Sequence, residues 1–503
     1  MAFYDLREFI NALESRGMLK RIKTPVDCNL EITEITDRVS KMEGKKNVAL
    51  LFENVKGYDM PVLMNAFGSM ERLALAFGVN DIEEIPNELR EILRLPYISL
   101  QNKMDLIHII PTAKRAINFP KYVKKAPCQE VVITDNPTLD KFPILKCWPQ
   151  DGGPFITLPL VFTRNPKTGK RNVGMYRLQK YDGQTTGMHW HLHKDGASNY
   201  RAYQEMGKDK IEVAVAIGTD PVITYAATAP LPRDIDEMVF AGFLRKKSVE
   251  MVKCKTVDVE VPACSEIVLE GYVNIGETRR EGPFGDHTGY YSLADDYPVF
   301  HITCITHRKN PIYSATIVGK PPMEDCFLAK ATERIFLPLL QQTLPEIRDI
   351  NFPLEGVFHD CVMVSIKKTY PQQAKKVMHA IWGMGQMMFT KMIIVVDEHV
   401  DVQKEKEVWW RVFNNIDAKH DIVMVEGPLD ALDHSSPMAK WGTKIGIDAT
   451  KTWPEEGHTR EWPDEINMSD DIKKLVDAKW QEDRKSTRLN SSHHDISYAV
   501  FCL

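Results

Sequence analysis

The densest chemistry in the sequence lies in Glu281-Gly-Pro-Phe-Gly-Asp286, the opening of the segment Glu281–Tyr291. Gly and Pro impose a tight, irregular backbone, so two carboxylates five residues apart can converge. Two close carboxylates do not both ionise easily; one pKa rises, and that group becomes a proton donor near neutral pH. A loop with two solvated acids is the plain alternative, and spacing alone favours neither. NVGMYRLQ adds Asn172 and Arg177. On a regular strand, residues five apart face opposite sides, so either the strand is irregular or the two do separate jobs. An arginine on an otherwise apolar strand suits a carboxylate or phosphate clamp. It could also pair with Glu281, for structure or for catalysis.

His189, His191 and His193 alternate in GMHWHLHKDG, which on a strand places them on one face. A metal face and three surface histidines both fit, and the second is preferred on pattern alone. Glu237 follows Asp234 by three in DIDEMVF, the spacing of a capping box; a metal ligand is its rival role. An asparagine, a histidine and a glutamate with no thiolate would suit a hard ion such as Mn²⁺ or Mg²⁺. Lys391 stands before MIIVV (Met392–Val396). It either stays solvated or reaches a phosphate as a point charge.

These residues need elements to position them, and the chain changes pattern twice. It opens on a helix whose N-cap is Asp5, with Glu8 three later, an apolar stripe of Leu6, Phe9, Ile10 and Leu13, and Gly17 at its end. NVALLFENV and MPVLMNAF predict short strands and residues 70–77 a helix, giving a small α/β domain over 1–115. From 116 to 330 short strands recur: FITLPLVFTR, NVGMYRLQKY, IEVAVAIG, VDVEV, EIVLEGYV, FHITCITHR and PIYSATIVG. That spacing suggests an antiparallel barrel or sandwich, interrupted by one helix from Asp234. Over 331–465 the order becomes CVMVSIKK, a helix, KMIIVVDEHV, a helix, then DIVMVEG. This is a βαβαβ pattern with continuous apolar strands, expected as a parallel sheet. Residues 466–482 end in an amphipathic helix with Ile472, Leu475, Val476 and Trp480 as its stripe. The fold class expected is multidomain α+β or α/β.

Composition narrows the function. With 503 residues the chain has room for about three domains. Its 43% hydrophobic and 26% charged residues exclude a disordered or low-complexity chain. A net charge of −5 and a pI near 6.3 give no basic footprint for nucleic acid. No apolar run approaches the roughly 18 residues of a membrane span, and the N-terminus lacks a secretory signal. The nine cysteines form no CxxC pair, which argues against a zinc ribbon or a disulfide framework and for reduced thiols in a cytoplasmic enzyme. Residues 483–503 resemble an in-frame translation of a common short-read sequencing adapter: DRKSTRLNSSH, two index residues, then ISYAVFCL. They are expected to be an artefact tail outside the fold.

With these motifs in view, the chain from Tyr4 to about Trp480 resembles the UbiD-type decarboxylases. LFENVKGYDMPVLMN, CWPQDGG, NVGMYRLQ, GMHWHLHKDG, YAATAPLPRDIDEMVFAGFLR, EGPFGDHTGYY and GIDATKTWPEEG carry the likeness, in the expected order. Among subgroups it is most similar to the menaquinone-biosynthesis decarboxylases of the futalosine route. The 4-hydroxy-3-polyprenylbenzoate decarboxylases of ubiquinone biosynthesis are slightly more distant. The resemblance implies prenylated FMN, Mn²⁺ (or Mg²⁺) and K⁺ (or Na⁺) as cofactors. It implies Asn172, His193 and Glu237 as ligands of a phosphate-bound metal, and Arg177, Glu281 and Asp286 as the catalytic triad. Ala227, Thr228, Ala229 and Pro230 would line the flavin and the monovalent cation, and Lys391 would contact its phosphate. It implies a fold of N-terminal α/β domain, central split β-barrel of flavin-reductase type and C-terminal α/β domain. It further implies a homo-oligomer, dimer or hexamer, and a flavin prenyltransferase as cofactor supplier. A substrate of the 1,4-dihydroxy-6-naphthoate type follows, with peripheral membrane contact if the substrate is prenylated. A flavin-binding oxidoreductase and a non-catalytic UbiD-like subunit are the readings of other classes.

Overall fold

The first helix forms where the sequence places its cap. Asp5 Oδ1 accepts from the Glu8 backbone N–H at 3.0 Å, and Glu8 reaches back to the Tyr4 N–H at 2.6 Å. Helix Leu6–Ser15 then buries Leu6, Phe9, Ile10 and Leu13, the predicted stripe. The computed structural model describes residues 2–94, 118–190, 195–231 and 235–486.

In the N-terminal block, strand Leu19–Ile22 pairs parallel with Ala49–Phe52, which pairs antiparallel with Val62–Met64. Helix Met70–Phe77 lies at the predicted position, capped by Ser69 and ended by Gly78 in the left-handed conformation. The block's sheet is completed by Tyr313–Ser314, which pairs parallel with Val62–Met64. This strand arrives from far along the chain, so the N-terminal block is woven into the central one.

The central sheet runs, edge to edge, Thr185–Gly187, Asp295–His307, Ile267–Glu281, Lys210–Ile217, Leu160–Arg164 and Arg171–Met175, with Val131–Ile133 also pairing with Asp295–His307. Every pairing in it is antiparallel, as the short-strand pattern suggests. Lys210–Ile217 is the clearest case of sequence dictating packing. Its Ile211, Val213, Val215 and Ile217 feed one core, while Ala214 and Ala216 feed the core on the opposite face. Small residues on one side let the helix Glu237–Arg245 pack close, with Met238 and Ala241 in that second core. Three helices interrupt this block among the described residues, Asp195–Glu205, Pro221–Ala226 and Glu237–Arg245, where one is expected from sequence.

In the C-terminal block, Cys361–Ile366 pairs parallel with Met392–Asp397, which pairs parallel with Trp441–Asp448. The expected third parallel strand, DIVMVEG, is instead an antiparallel edge strand, Ile422–Pro428. Its alternating exposure fits an edge, and the buried place goes to Trp441–Asp448, whose Gly and Lys conceal it in the sequence. The eight described cysteines are all free. No described helix is long and apolar enough to cross a membrane.

The chain divides into two units at Lys451/Thr452. The second holds a turn at Pro454–Glu456 and helix Asp470–Ser486, which extends beyond the expected end at Glu482. Ile472, Leu475, Val476 and Trp480 of this helix are exposed.

Candidate active site

Asn172 and Arg177 reach the same place because the strand between them breaks. Arg171–Met175 ends in the central sheet, and Leu178–Gln179 pairs instead with Phe155–Ile156. Both side chains then line one cavity of about 380 Å³, with Thr157, His189, Phe284, Asp286, His287, Asp325 and Phe358 among its other walls.

Arg177 is held on three sides. Its Nε donates to Glu281 Oε1 at 3.0 Å, Nη1 donates to Asp286 Oδ2, and Nη2 donates to Ser292 Oγ at 3.1 Å. The guanidinium lies 4.5 Å from the ring centre of Phe284, a cation–π contact that fixes its plane. Glu281 and Asp286 therefore converge, but on a cation. Burial alone would raise the Asp286 pKa; the hydrogen bond from His287 and the charge of Arg177 outweigh it and hold the carboxyl well below its usual range. The expectation of a raised carboxyl in this pair is corrected for Asp286: opposite charge within contact wins over like charge. Asp286 rests as a carboxylate.

The loop that carries the pair is pinned from behind. Asp151 Oδ1 accepts from the Gly285 N–H at 2.8 Å, while Oδ2 accepts from Trp148 and Cys147 at 2.8 and 3.1 Å. Gly152 has no room for a side chain: a Cβ there would lie 2.2 Å from the Gly282 carbonyl oxygen.

Of the three alternating histidines, only His189 lies among the described residues. The strand before it stops at Gly187, and His189 turns to Glu281, with Nδ1 2.7 Å from Oε1. Burial, then the charge of Arg177, lowers the His189 pKa, so its imidazole is neutral and donates from Nδ1 to Glu281. Tyr297 covers its ring at 4.1 Å. His191 and His193 lie outside the described residues.

The same cavity is lined by Asn172, Glu237 and the turn Ala227–Leu231 that follows helix Pro221–Ala226. Glu237 is the first residue of its helix. The N-cap is Asp236, whose side chain accepts from the Met238 N–H at 2.8 Å, while Glu237 accepts from the Val173 N–H at 3.1 Å, next to Asn172. Asp234, the expected partner, is outside the described residues. The Asn172 side-chain nitrogen is buried without a hydrogen-bond partner. Such an orphan is costly, about 1–3 kcal/mol, and marks a place made to be filled by an acceptor. An amide, a carboxylate and a turn of small residues fit a metal-bound phosphate and a flat ring system. Lys391 is not in the cavity lining; it pairs with Asp433 at 2.7 Å and with Ser435.

Sequence reasoning passed over Asp151, His189 as a partner of Glu281, His287, Asp325 and His359. Asp151, His189 and His287 stand in segments already singled out, CWPQDGG, GMHWHLHKDG and EGPFGDHTGYY, while Asp325 and His359 carried no signal. His287 Nε2 lies 2.8 Å from Nε2 of His359. Burial pushes the Asp325 carboxyl up to about 6.

Comparisons with known proteins place the whole chain. The chain matches the family described as the 3-octaprenyl-4-hydroxybenzoate carboxy-lyase (UbiD) over its N-terminal domain at residues 10–92, its Rift-related domain at 121–321 and its C-terminal domain at 326–449. An uncharacterized protein of Archaeoglobus fulgidus is 55% identical, over 96% of this chain and 99% of the relative. Vanillic acid decarboxylase of Sedimentibacter hydroxybenzoicus, in closed form, superposes with a TM-score of 0.84 at 30% identity, covering 97% of this chain and 99% of that one. The UbiD-class enzyme HmfF of Pelotomaculum thermopropionicum, in complex with FMN, gives 0.78 at 31% identity, over 94% and 99%. An evolved dimeric form of HmfF, in complex with prFMN, gives 0.77 at 29% identity, over 95% and 100%.

Proposed function

The chain belongs to the UbiD family of carboxy-lyases, and from that premise we propose that it reversibly decarboxylates an aromatic acid, non-oxidatively, with prenylated FMN as cofactor. The observation that carries this reading is Arg177 fixed between Glu281 and Asp286 on the wall of the cavity that Asn172 and Glu237 also line. The flavin complexes of HmfF support the cofactor. Prenylated FMN, when bound, supplies the electron sink for the broken carbon–carbon bond. The protein supplies the rest. Arg177 orients the substrate carboxylate, and the carboxylates beside it return a proton to the ring carbon. Asn172, Glu237 and His193 would hold Mn²⁺ or Mg²⁺ at the cofactor phosphate, and Ala227–Pro230 would face the flavin and a K⁺ or Na⁺ ion. Lys391, paired with Asp433 and Ser435, would contact the phosphate with its remaining donor. The all-antiparallel central sheet supports a split barrel as the flavin platform.

For the substrate, the cavity's polar wall of His287, Asp325 and Gln386 favours a hydroxylated ring over a plain one. A 1,4-dihydroxy-6-naphthoate-type acid of menaquinone biosynthesis is the reading. The exposed apolar stripe Ile472, Leu475, Val476 and Trp480 supports a homo-oligomer. The test is co-expression with a flavin prenyltransferase, anaerobic purification, and a screen of naphthoates and hydroxybenzoates for CO₂ release. Release from the dihydroxynaphthoate alone supports the proposal. Release only from 4-hydroxy-3-polyprenylbenzoates assigns the ubiquinone reaction. No release with full cofactor occupancy points to a non-catalytic subunit or an oxidoreductase.

A further inference from the structure

Asp286 rests ionised against Arg177. Decarboxylation ends with a proton placed on a ring carbon, so each turnover needs a proton brought to this buried carboxylate. A row of side chains leads away from it. His287 Nδ1 lies 3.0 Å from Asp286 Oδ1, and His287 Nε2 lies 2.8 Å from His359 Nε2. His359 Nδ1 lies 3.1 Å from Asp360 Oδ1, an ion-pair distance without the alignment of a hydrogen bond, and is otherwise buried without a partner. Side-chain exposure rises along the row: 9% at Asp286, 14% at His287, 17% at His359 and 32% at Asp360.

The contact between the two imidazoles is the telling one. Two ring nitrogens at hydrogen-bond distance require one N–H and one bare nitrogen, so the pair shares a single proton across that gap. His287 then has Asp286 on one nitrogen and His359 on the other, so it can receive a proton on one side and release one on the other. The segment that carries His359 is strained to do so. Val357 and Phe358 hold φ of 43° and 56°, in the left-handed region that a β-branched or bulky residue avoids. Strain of this kind is kept where the surrounding structure requires it, often at working sites. Here it presents Phe358 to the cavity, its ring 4.8 Å from that of His287, and His359 to His287. Besides Asp286 and His359, the carboxylates of Asp325 and Asp430 act on His287.

We propose that Asp286, His287, His359 and Asp360 form a relay that reloads Asp286 with a proton from solvent between turnovers, an inference that rests on the decarboxylase reading above. In one pass His287 releases its Nδ1 proton to Asp286 and takes another at Nε2 from His359. His359 is refilled at Nδ1 once water or the Asp360 carboxyl comes into line with it, and both imidazoles turn over before the next pass. One proton enters from water for each that Asp286 passes to the ring carbon, and no electron moves along the row. The first proton is already stored at His287.

That store sets the test. Holoenzyme made with a flavin prenyltransferase is mixed with 1,4-dihydroxy-6-naphthoate, and protonated product is followed by rapid quench. In His359→Gln, which keeps a hydrogen-bonding side chain but cannot pass a proton, the first turnover matches wild type. Later turnovers slow by about 10². Added imidazole restores steady turnover to His359→Ala. Unchanged steady turnover in His359→Gln overturns the relay, and so does equal slowing of the first and later turnovers. Wild type that turns over neither this acid nor the screened ones removes the substrate reading and leaves the relay to a second measurement. C2–H exchange of His287 and His359 is followed by mass spectrometry against pH in the holoenzyme. Two coupled steps, with His287 reverting to a single step in His359→Gln, support the relay; two independent midpoints overturn it.

Discussion

Arg177 illustrates how one residue can do two jobs that conflict on paper. It pairs with both Glu281 and Asp286, and with the hydrogen bond from His287 its charge keeps Asp286 ionised. Truncating it would leave two buried carboxylates without their cation, a cost of about 3–5 kcal/mol, so Arg177→Ala confounds folding with chemistry. Arg177→Lys is the cleaner variant: the charge stays and the fork is lost. It should fold and bind flavin, with decarboxylation slowed by about 10². Glu281→Gln and Asp286→Asn should each cost roughly 10²–10⁴ in rate with flavin occupancy intact. Turnover and solvent-deuterium exchange into the product ring should fall together.

His287 and Asp286 also make a stability prediction whose sign is fixed. Burial opposes charge on His287, but the hydrogen bond and charge of Asp286 prevail and its pKa is raised. A raised folded pKa adds stability in full below the unfolded value of about 6.5, and that stability is lost as pH rises through the folded value. The depressed pKa of Asp286 works the other way: its contribution is present above about 3.9 and lost as pH falls through the folded value. The pair is at full strength between these limits. His287→Gln should therefore be less stable than wild type in urea at mildly acidic pH, and the two curves should converge on the alkaline side. A gap that widens with rising pH would contradict the assignment.

At the scale of elements, the site loop is set by its neighbours. Asp151 satisfies three backbone N–H groups, at Cys147, Trp148 and Gly285, and so ties WPQDGG to the loop that holds Asp286. Asp151→Ala strands buried donors and should cost about 2–4 kcal/mol in denaturant titrations. Gly152→Ala should be milder in stability and severe in activity, because its Cβ pushes directly on the Gly282 carbonyl. What the sequence made legible at this scale was periodic or local. The capping box at Asp5, the helix 70–77 and the two-sided strand Lys210–Ile217 all follow from spacing. The pairing of Arg177 with Glu281 was one of the alternatives that the residue types allowed. What was hidden depended on the third dimension. The histidine alternation implied a strand that stops at Gly187, because alternation marks a face only while the strand lasts. Trp441–Asp448 was unreadable because Lys444, 2% exposed, is buried there against the usual rule. His359 lies in a loop more than seventy residues from His287, with no period to announce it.

The whole molecule is held together by charge as well as by apolar cores. Glu266, fully buried at the end of the central sheet, receives both arms of Arg7 at 2.8 Å, Arg308 at 3.3 Å and the Ile312 N–H at 3.1 Å. Arg308 also donates to Asp5, the cap of the first helix, at 2.7 Å. The N-terminal helix is thus locked to the central sheet through the same turn that delivers Tyr313–Ser314 to the N-terminal sheet. Arg7 is one-third exposed, so part of its charge is already met by solvent, and the buried weight rests on Arg308. Glu266→Ala leaves Arg308 only Asp5 and leaves the Ile312 N–H without its acceptor. The expected loss is about 2–4 kcal/mol, less than for a wholly buried pair because of the exposure of Arg7. The loss should not be spread evenly. Amide exchange should rise first in Leu6–Ser15 and in the strand pair Val62–Met64 with Tyr313–Ser314, because these are what the network fastens. Protection in Cys361–Ile366 and Met392–Asp397, whose cores involve none of these groups, should be the last to change. Uniform acceleration across both regions would mean that the chain up to Lys451 opens as one cooperative unit, and that Glu266 stabilises all of it rather than the N-terminal junction.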